Sequence, residues 1–298
     1  MKKIGIIFLV IIAVLVGVVL YVSYSAADSL VHSPRAVALD KPENYGYTYE
    51  NVSFSPPDDP TIVLKGWYIP AKAGKNGATI IYVHGFQAER SWLLSQARFM
   101  IDEGYGALLF DLRNSGESGG NTTYFGAREW QDVAGAVAFL RTRPEVNMDR
   151  LGIMGRSMGG GVVIRAAAEL RVFKFIIAQS TFTDATSLVN DVVPLSTGLP
   201  SFPFAPLIRF FGEWETGISF DDINSLVELQ KLDHTPIMII HGTKDDWIPY
   251  AHGQKLFAAA QEPKVFYPVQ NAPHYPLLKY DPIGLPKALL AFVNQYLK

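Results

Sequence analysis

The sequence contains no cysteine. Disulfides, thiolate-ligated zinc and a cysteine nucleophile are excluded, but the compartment stays open because exported proteins can also lack cysteine. It also lacks any long run of like charge: 26 Lys and Arg stand against 28 Asp and Glu, leaving a net charge of -2 at pH 7. The basic footprint of a nucleic-acid binder is therefore missing. No internal repeat or low-complexity tract divides the chain. None of the six histidines pairs with another at helical spacing beside a carboxylate, so neither a metal site nor a cofactor is expected.

Long uncharged apolar sequence is concentrated at the amino terminus. After "MKK", residues 4–22 ("IGIIFLVIIAVLVGVVLYV") carry no charged side chain. A helix of that length reaches about 28 Å, close to the thickness of a bilayer core. Residues 1–27 therefore read as a membrane anchor, with a signal peptide cleaved near "SAA" at 25–27 as the competing reading. Lys2 and Lys3 place the terminus in the cytoplasm by the positive-inside tendency, which puts the rest of the chain outside the cell membrane. Residues 28–45 form a connector, and 46–298 form one domain of ordinary size for a single core.

Within that domain, short apolar or β-branched runs at 50–54, 62–69, 78–83, 106–111, 150–154, 173–178, 236–240 and 264–268 read as strands. Segments with a period near 3.6 at 89–103, 127–141, 158–170, 250–260 and 284–297 read as helices. Such alternation predicts an α/β fold with a mostly parallel eight-stranded sheet flanked by helices. Only "SPPDDPT" separates the first two runs, so they should form an antiparallel hairpin at one edge. Residues 186–220, rich in Pro and aromatics, interrupt the pattern and suggest a small lid.

The sequence "GRSMGGG" at 155–161 follows the apolar run 150–154 and opens a helical segment. A serine presented on a strained strand-to-helix turn needs small residues two positions to either side, and Gly155 and Gly159 fill both. Ser157 is thus a candidate nucleophile at the carboxyl edge of the sheet, where reactive groups gather in open α/β folds. Without partners, the same pattern would be a glycine-rich turn or anion nest. No Lys follows the glycines, which disfavours a phosphate loop.

A serine hydroxyl needs a base, and the base needs an orienting acid. His274, in "QNAPHYP" after the last strand, is the candidate base. His84 and His241 each end a strand before a Gly and read as packing or turn residues; His32, His234 and His252 have no special claim. "IIHGTKDDWIP" supplies the acid, Asp245 by motif with Asp246 as alternate. An oxyanion hole would use the amide of Met158 and that of Phe86 in "HGFQAER".

At these residues the chain resembles the α/β-hydrolase superfamily, within it the serine hydrolases called BEM46-like or serine aminopeptidase-like. "YVHGFQAER", "FDLRNSGESGG", "GRSMGG", "IIHGTKDDWIP" and "APH" carry the resemblance in family order over about residues 45–298. It implies Ser157 as nucleophile, Asp245 as acid, His274 as base, and Phe86 and Met158 as oxyanion donors. "RNSGES" and the Ala-Pro before His274 depart from the usual family pattern at the pocket rim. The expectation is a membrane-anchored serine esterase, lipase or thioesterase acting on an acyl ester through an acyl-enzyme, its lid segment "SFPFAPLIRFF" facing an acyl chain or packing as a plain cap. A peptidase using Glu213 or Glu215 to hold a substrate amine is the second reading, and a non-catalytic interaction module on the same fold is the third.

Overall fold

The protein is described by a computed structural model, which describes residues 2–297. The chain opens with α1 (Lys2–Val31), continues through β1 (Glu50–Phe54), β2 (Leu64–Ile69) and β3 (Thr79–Val83), then α2 (Leu94–Asp102), β4 (Gly106–Phe110) and α3 (Trp130–Arg141). β5 (Leu151–Arg156), α4 (Met158–Leu170) and β6 (Phe173–Gln179) follow. Next come α5 (Ala185–Thr197), α6 (Ser201–Thr216) and α7 (Ser225–Leu229), then β7 (Ile237–Gly242), α8 (Ala251–Ala259), β8 (Lys264–Val269) and α9 (Gly284–Tyr296).

The eight strands form one sheet in the order β1-β2-β4-β3-β5-β6-β7-β8. β1 and β2 pair antiparallel, as do β2 and β4, while β4 through β8 run parallel. This is the α/β-hydrolase fold. Successive strand residues point to opposite faces, so β3 feeds both layers. Ile81 and Val83 join Val133, Val137, Val162 and Val163 under α3 and α4. Ile80 and Tyr82 join Ala97, Ile101, Leu289 and Val293 under α2 and α9. Every residue of β3 is buried, as expected of a strand covered on both faces.

Residues 186–220 are built as two helices. Asp184 caps α5 by accepting from the Ser187 N–H at 2.7 Å, and Gly198 ends it in the left-handed region. α6 has a kink at Phe202 and ends at Gly217, also left-handed. α1 is longer than its uncharged core: its helix continues through Val31, into the stretch expected to be connector. Ala27 and Val31 explain the extension, since both are buried, and Ala27 packs in a small core with Val193, Ala205 and Ile208. Burying such aliphatic side chains is worth about 1.5–3 kcal/mol for each large one.

Candidate active site

β5 delivers Ser157 to the carboxyl edge of the sheet. Its backbone stands at φ 55°, ψ -123°, a strained conformation that lifts the side chain out of the turn between β5 and α4. Glycine is required on both sides by space: a Cβ at Gly155 would lie 2.1 Å from the Gly159 carbonyl oxygen, and one at Gly159 would lie 2.3 Å from that of Val83. The turn is held from below by the Ser157 N–H, which donates to the Gln179 carbonyl at 2.8 Å.

His274 arrives on the loop after β8 and Asp245 on the loop after β7. The His274 Nδ1–H donates to Asp245, 2.8 Å from Oδ2 and 3.1 Å from Oδ1. An ionised carboxylate only accepts, so this contact fixes the proton on Nδ1 and leaves Nε2 free to take another. The Asp245 side chain is completely buried and well supplied with donors: the Trp247 and Ile248 N–H groups reach Oδ1 at 3.0 and 2.8 Å. Burial alone would raise its pKa, but hydrogen bonds from His241 and His274, the His274 charge and the Ile248 amide together hold it well below the usual carboxylate range. Asp246 accepts instead from the His274 backbone N–H at 3.2 Å, and it lines the cavity beside the ring.

His241, read from sequence as a packing residue, takes part in this arrangement. Its Nε2 is 3.2 Å from Asp245 Oδ2 and 2.9 Å from the Ile248 carbonyl oxygen, two acceptors that require the proton on that nitrogen. Its position four residues before Asp245, at the end of the same strand, was the available signal. His84 holds the facing loop. The Leu112 N–H donates to its Nε2 at 3.0 Å, so its Nδ1–H donates to the Gly85 carbonyl at 2.8 Å. That carbonyl shares a peptide unit with the Phe86 N–H and fixes the direction in which it points. Neither the Phe86 nor the Met158 N–H is taken up by a partner among the described residues. Met158 is the first residue of α4, whose initial amides have no partner within the helix.

Ser157, His274, Phe86 and Met158 all line one cavity of about 580 Å³, within the range of a small-ligand site. Its apolar lining includes Phe182, Val189, Val193 and Ile208 and, from α1, Ala27 and Leu30. Gln87, Trp92, Asp246, Trp247 and Tyr275 add polar and aromatic groups to the lining. Trp247 stacks on His274 with ring centres 6.2 Å apart. The buried Arg156 guanidinium lies 4.7 Å from the Trp92 ring and 4.4 Å from the Tyr275 ring, and burial pushes its pKa down to about 10. Sequence reasoning passed over Arg156, although it directly precedes Ser157.

Other candidates lie elsewhere. Glu213 accepts from Arg209 Nε at 3.0 Å and from the Phe220 N–H at 2.8 Å. Glu215 is brought to α1, where its Oε2 is 3.8 Å from His32 Nε2, itself 3.9 Å from Asp28 Oδ1. These three residues are close enough to face one ion, a grouping hidden in the sequence by the distance between residues 32 and 215. His252 donates from Nε2 to Asp191 at 3.0 Å and accepts at Nδ1 from the Thr183 N–H at 3.1 Å, tying α8 to α5.

The model of the prolyl oligopeptidase family matches residues 92–275, more than half of the chain. The chain belongs to that family. Among curated family relatives, the protein YfhR of Salmonella typhimurium is 29% identical over 236 residues, covering 74% of this chain and 73% of its own. YqkD of Bacillus subtilis is 27% identical over 235 residues, covering 78% and 71%. Of solved structures, the Pyrococcus furiosus esterase Pf2001 superposes with a TM-score of 0.74 at 24% identity, covering 90% of this chain and 99% of its own. The Pyrococcus horikoshii acylaminoacyl peptidase superposes with a TM-score of 0.66 at 19% identity, covering 86% and 43%. Family and fold together make the protein a hydrolase of the α/β class, with a small molecule as the expected substrate.

Proposed function

We propose that the protein is a membrane-anchored serine hydrolase that cleaves a carboxylic ester or related acyl bond. The observation that carries this reading is the alignment of His274 on the buried Asp245 carboxylate in the same cavity as the strained Ser157. Ser157 Oγ attacks the acyl carbon while His274 Nε2 takes its proton, and the oxyanion forms against the Phe86 and Met158 amides. The tetrahedral intermediate collapses, the bond to the alcohol breaks, and the alcohol leaves with the proton from His274. Water then gives its proton to His274 and attacks the acyl-enzyme. The carboxylic acid departs and the proton returns to Ser157.

The apolar lining supports an acyl chain, and the polar groups Gln87 and Asp246 support a polar leaving group. The family's name raises a peptidase reading, but that reading needs an acidic group for the substrate amine. Glu213 is engaged by Arg209 and the Phe220 amide, while Glu215 faces His32, and neither lines the cavity.

α1 is the one helix among the described residues long and apolar enough to cross a membrane. Its retention as an anchor is supported by the burial of Ala27 and Val31, which fix its last turns to the rest of the protein. The catalytic domain then lies outside the cytoplasm, by the charge of Lys2 and Lys3. Cleavage near residue 27 would remove Ala26 and Ala27 from the cavity wall, and mass spectrometry of the cell-derived protein distinguishes the two forms.

The deciding experiment is labelling of the full-length protein by a fluorophosphonate probe. Labelling of the wild type that is lost in Ser157→Ala and His274→Ala is the expected result. A folded wild type that does not react overturns the catalytic reading in favour of an interaction module.

A further inference from the structure

We propose that the seam between α1 and α6 is a doorway from the bilayer, through which Ser157 receives an acyl chain of a membrane-dissolved lipid ester. The proposal rests on the serine-hydrolase reading and adds the source and class of substrate.

Depth along α1 is the first argument. A bilayer core takes about 20 helical residues, so a span that starts at Ile4 leaves the core near Ser23 or Tyr24. Val31 then stands only about 12 Å beyond that boundary at 1.5 Å per residue, in and just above the headgroup layer. Ala26, Ala27, Leu30 and Val31, which line the cavity, occupy this interval. The α1 side of the cavity lining is thus placed at the membrane surface.

The outer surface of α6 gives an independent argument. Phe202, Phe210 and Trp214 are 80%, 59% and 68% exposed, large apolar side chains on one short element. Contiguous exposed apolar surface marks an interaction site. Its occupant here is the bilayer, because the patch continues onto the spanning helix: the Tyr24 ring meets those of Phe211 at 5.5 Å and Trp214 at 6.5 Å. Trp and Tyr favour this depth at a membrane interface. Asp28 and His32, both partly exposed, follow Tyr24 along α1 on the side away from the bilayer core, as water-facing groups should.

The chemistry of the substrate follows. A long acyl chain crossing water loses favourable burial with every methylene. An entrance inside the lipid removes that step. Ala27 packs on Ala205 and Ile208 where the seam is closed, so the chain enters as these side chains part.

The absence of cysteine permits single-site labelling of the full chain in phosphatidylcholine vesicles. Nitroxide labels on Phe202→Cys, Phe210→Cys and Trp214→Cys should collide with dissolved oxygen and be shielded from a water-soluble nickel chelate. A label on Asp149→Cys, exposed before β5 at the opposite end of the strands, should behave in the reverse way. Three labels that match the Asp149 control overturn the proposal, as does shielding from both reagents in vesicles and in detergent, which would show a protein partner or a second copy.

In the substrate arm, Leu30→Trp on α1 and Leu188→Trp on α5 each narrow the cavity on its apolar side. The ratio of activity on a palmitoyl ester in vesicles to activity on soluble p-nitrophenyl butyrate should fall at least tenfold in both. An unchanged ratio in two folded variants overturns the proposal. If the labels lie in the bilayer but the unsubstituted chain reacts neither with ester nor with fluorophosphonate, the hydrolase reading fails and the depth of α6 stands.

Discussion

The groups around Ser157 and His274 are fixed by directional contacts, whereas the part of the cavity wall where α1 meets α5 and α6 packs through apolar side chains. Asp245 alone receives two backbone amides and one imidazole at 2.8–3.0 Å and a second imidazole at 3.2 Å. Where α1 meets α5 and α6, Ala27, Val193, Ala205 and Ile208 meet through side chains that offer no hydrogen bond. Directional contacts fix a reactive atom to fractions of an ångström, as proton transfer requires. Apolar contacts are non-directional and accept chains of varying length. In the proposed reaction, chemistry falls to the first wall and selection to the second.

The contrast breaks first if the acid is disturbed. Asp245→Asn should lower kcat by about 10⁴-fold, because an amide can hold the imidazole in the wrong tautomer. Asp246→Asn, which touches only the His274 backbone, should cost no more than several-fold. Steady-state kinetics on p-nitrophenyl butyrate compares the two, and equal losses would mean that the carboxylates share the role.

A smaller effect is expected where the loop beneath the acid is tied down. His241→Ala removes one donor to Asp245 and leaves the Ile248 carbonyl without its partner. A loss of about 10-fold to 100-fold in kcat, with KM little changed, is expected of a positioning group. A change in KM alone would place His241 outside the chemistry.

The packed wall should respond differently. Tyr24→Ala removes ring contacts with Phe211 and Trp214, worth about 1–3 kcal/mol for the pair. Its effect should be confined to long-chain esters, at about tenfold in kcat/KM, with butyrate turnover within a factor of three. An equal loss on both esters would show that α1 helps to hold the catalytic wall.

The smallest effect concerns charge at the seam. Burial raises the Glu215 pKa, the neighbouring Asp28 adds to this, and His32 opposes it. The folded value therefore exceeds the unfolded one near 4.3. The ionised form is disfavoured by folding, so stability falls as pH rises from about 4 through the folded value. Glu215→Gln should consequently raise Tm by about 2 °C at neutral pH, and its advantage should vanish below pH 4. Thermal scans across that range test the sign.

Much of the fold could be read from local pattern. β1 and the alternating strands and helices fall within a few residues of their sequence ranges, because each apolar run carries its own period and punctuation. The antiparallel edge followed from the short link between β1 and β2. Residues 186–220 were harder, since Pro194 and Pro206 and the aromatic texture argue against regular structure, yet α5 and α6 form because packing against α1 overrides local propensity. Of the candidate site, Ser157, Asp245 and His274 were visible in short motifs, each on a loop at the same sheet edge. His241, His84 and Arg156 were not, because their contacts lie in three dimensions, and a histidine before glycine looks the same whether it packs or orients.

The sequence alone determined the alternating α/β core, the apolar amino-terminal helix and the residue types gathered at one edge of the sheet, because period, length and turn chemistry are local properties. Tertiary structure alone decided that the last turns of that helix form a wall of the same cavity, that Asp245 rather than Asp246 meets the His274 ring, and that Glu215 meets His32. Each depends on which distant segments share a surface, and no local pattern encodes that.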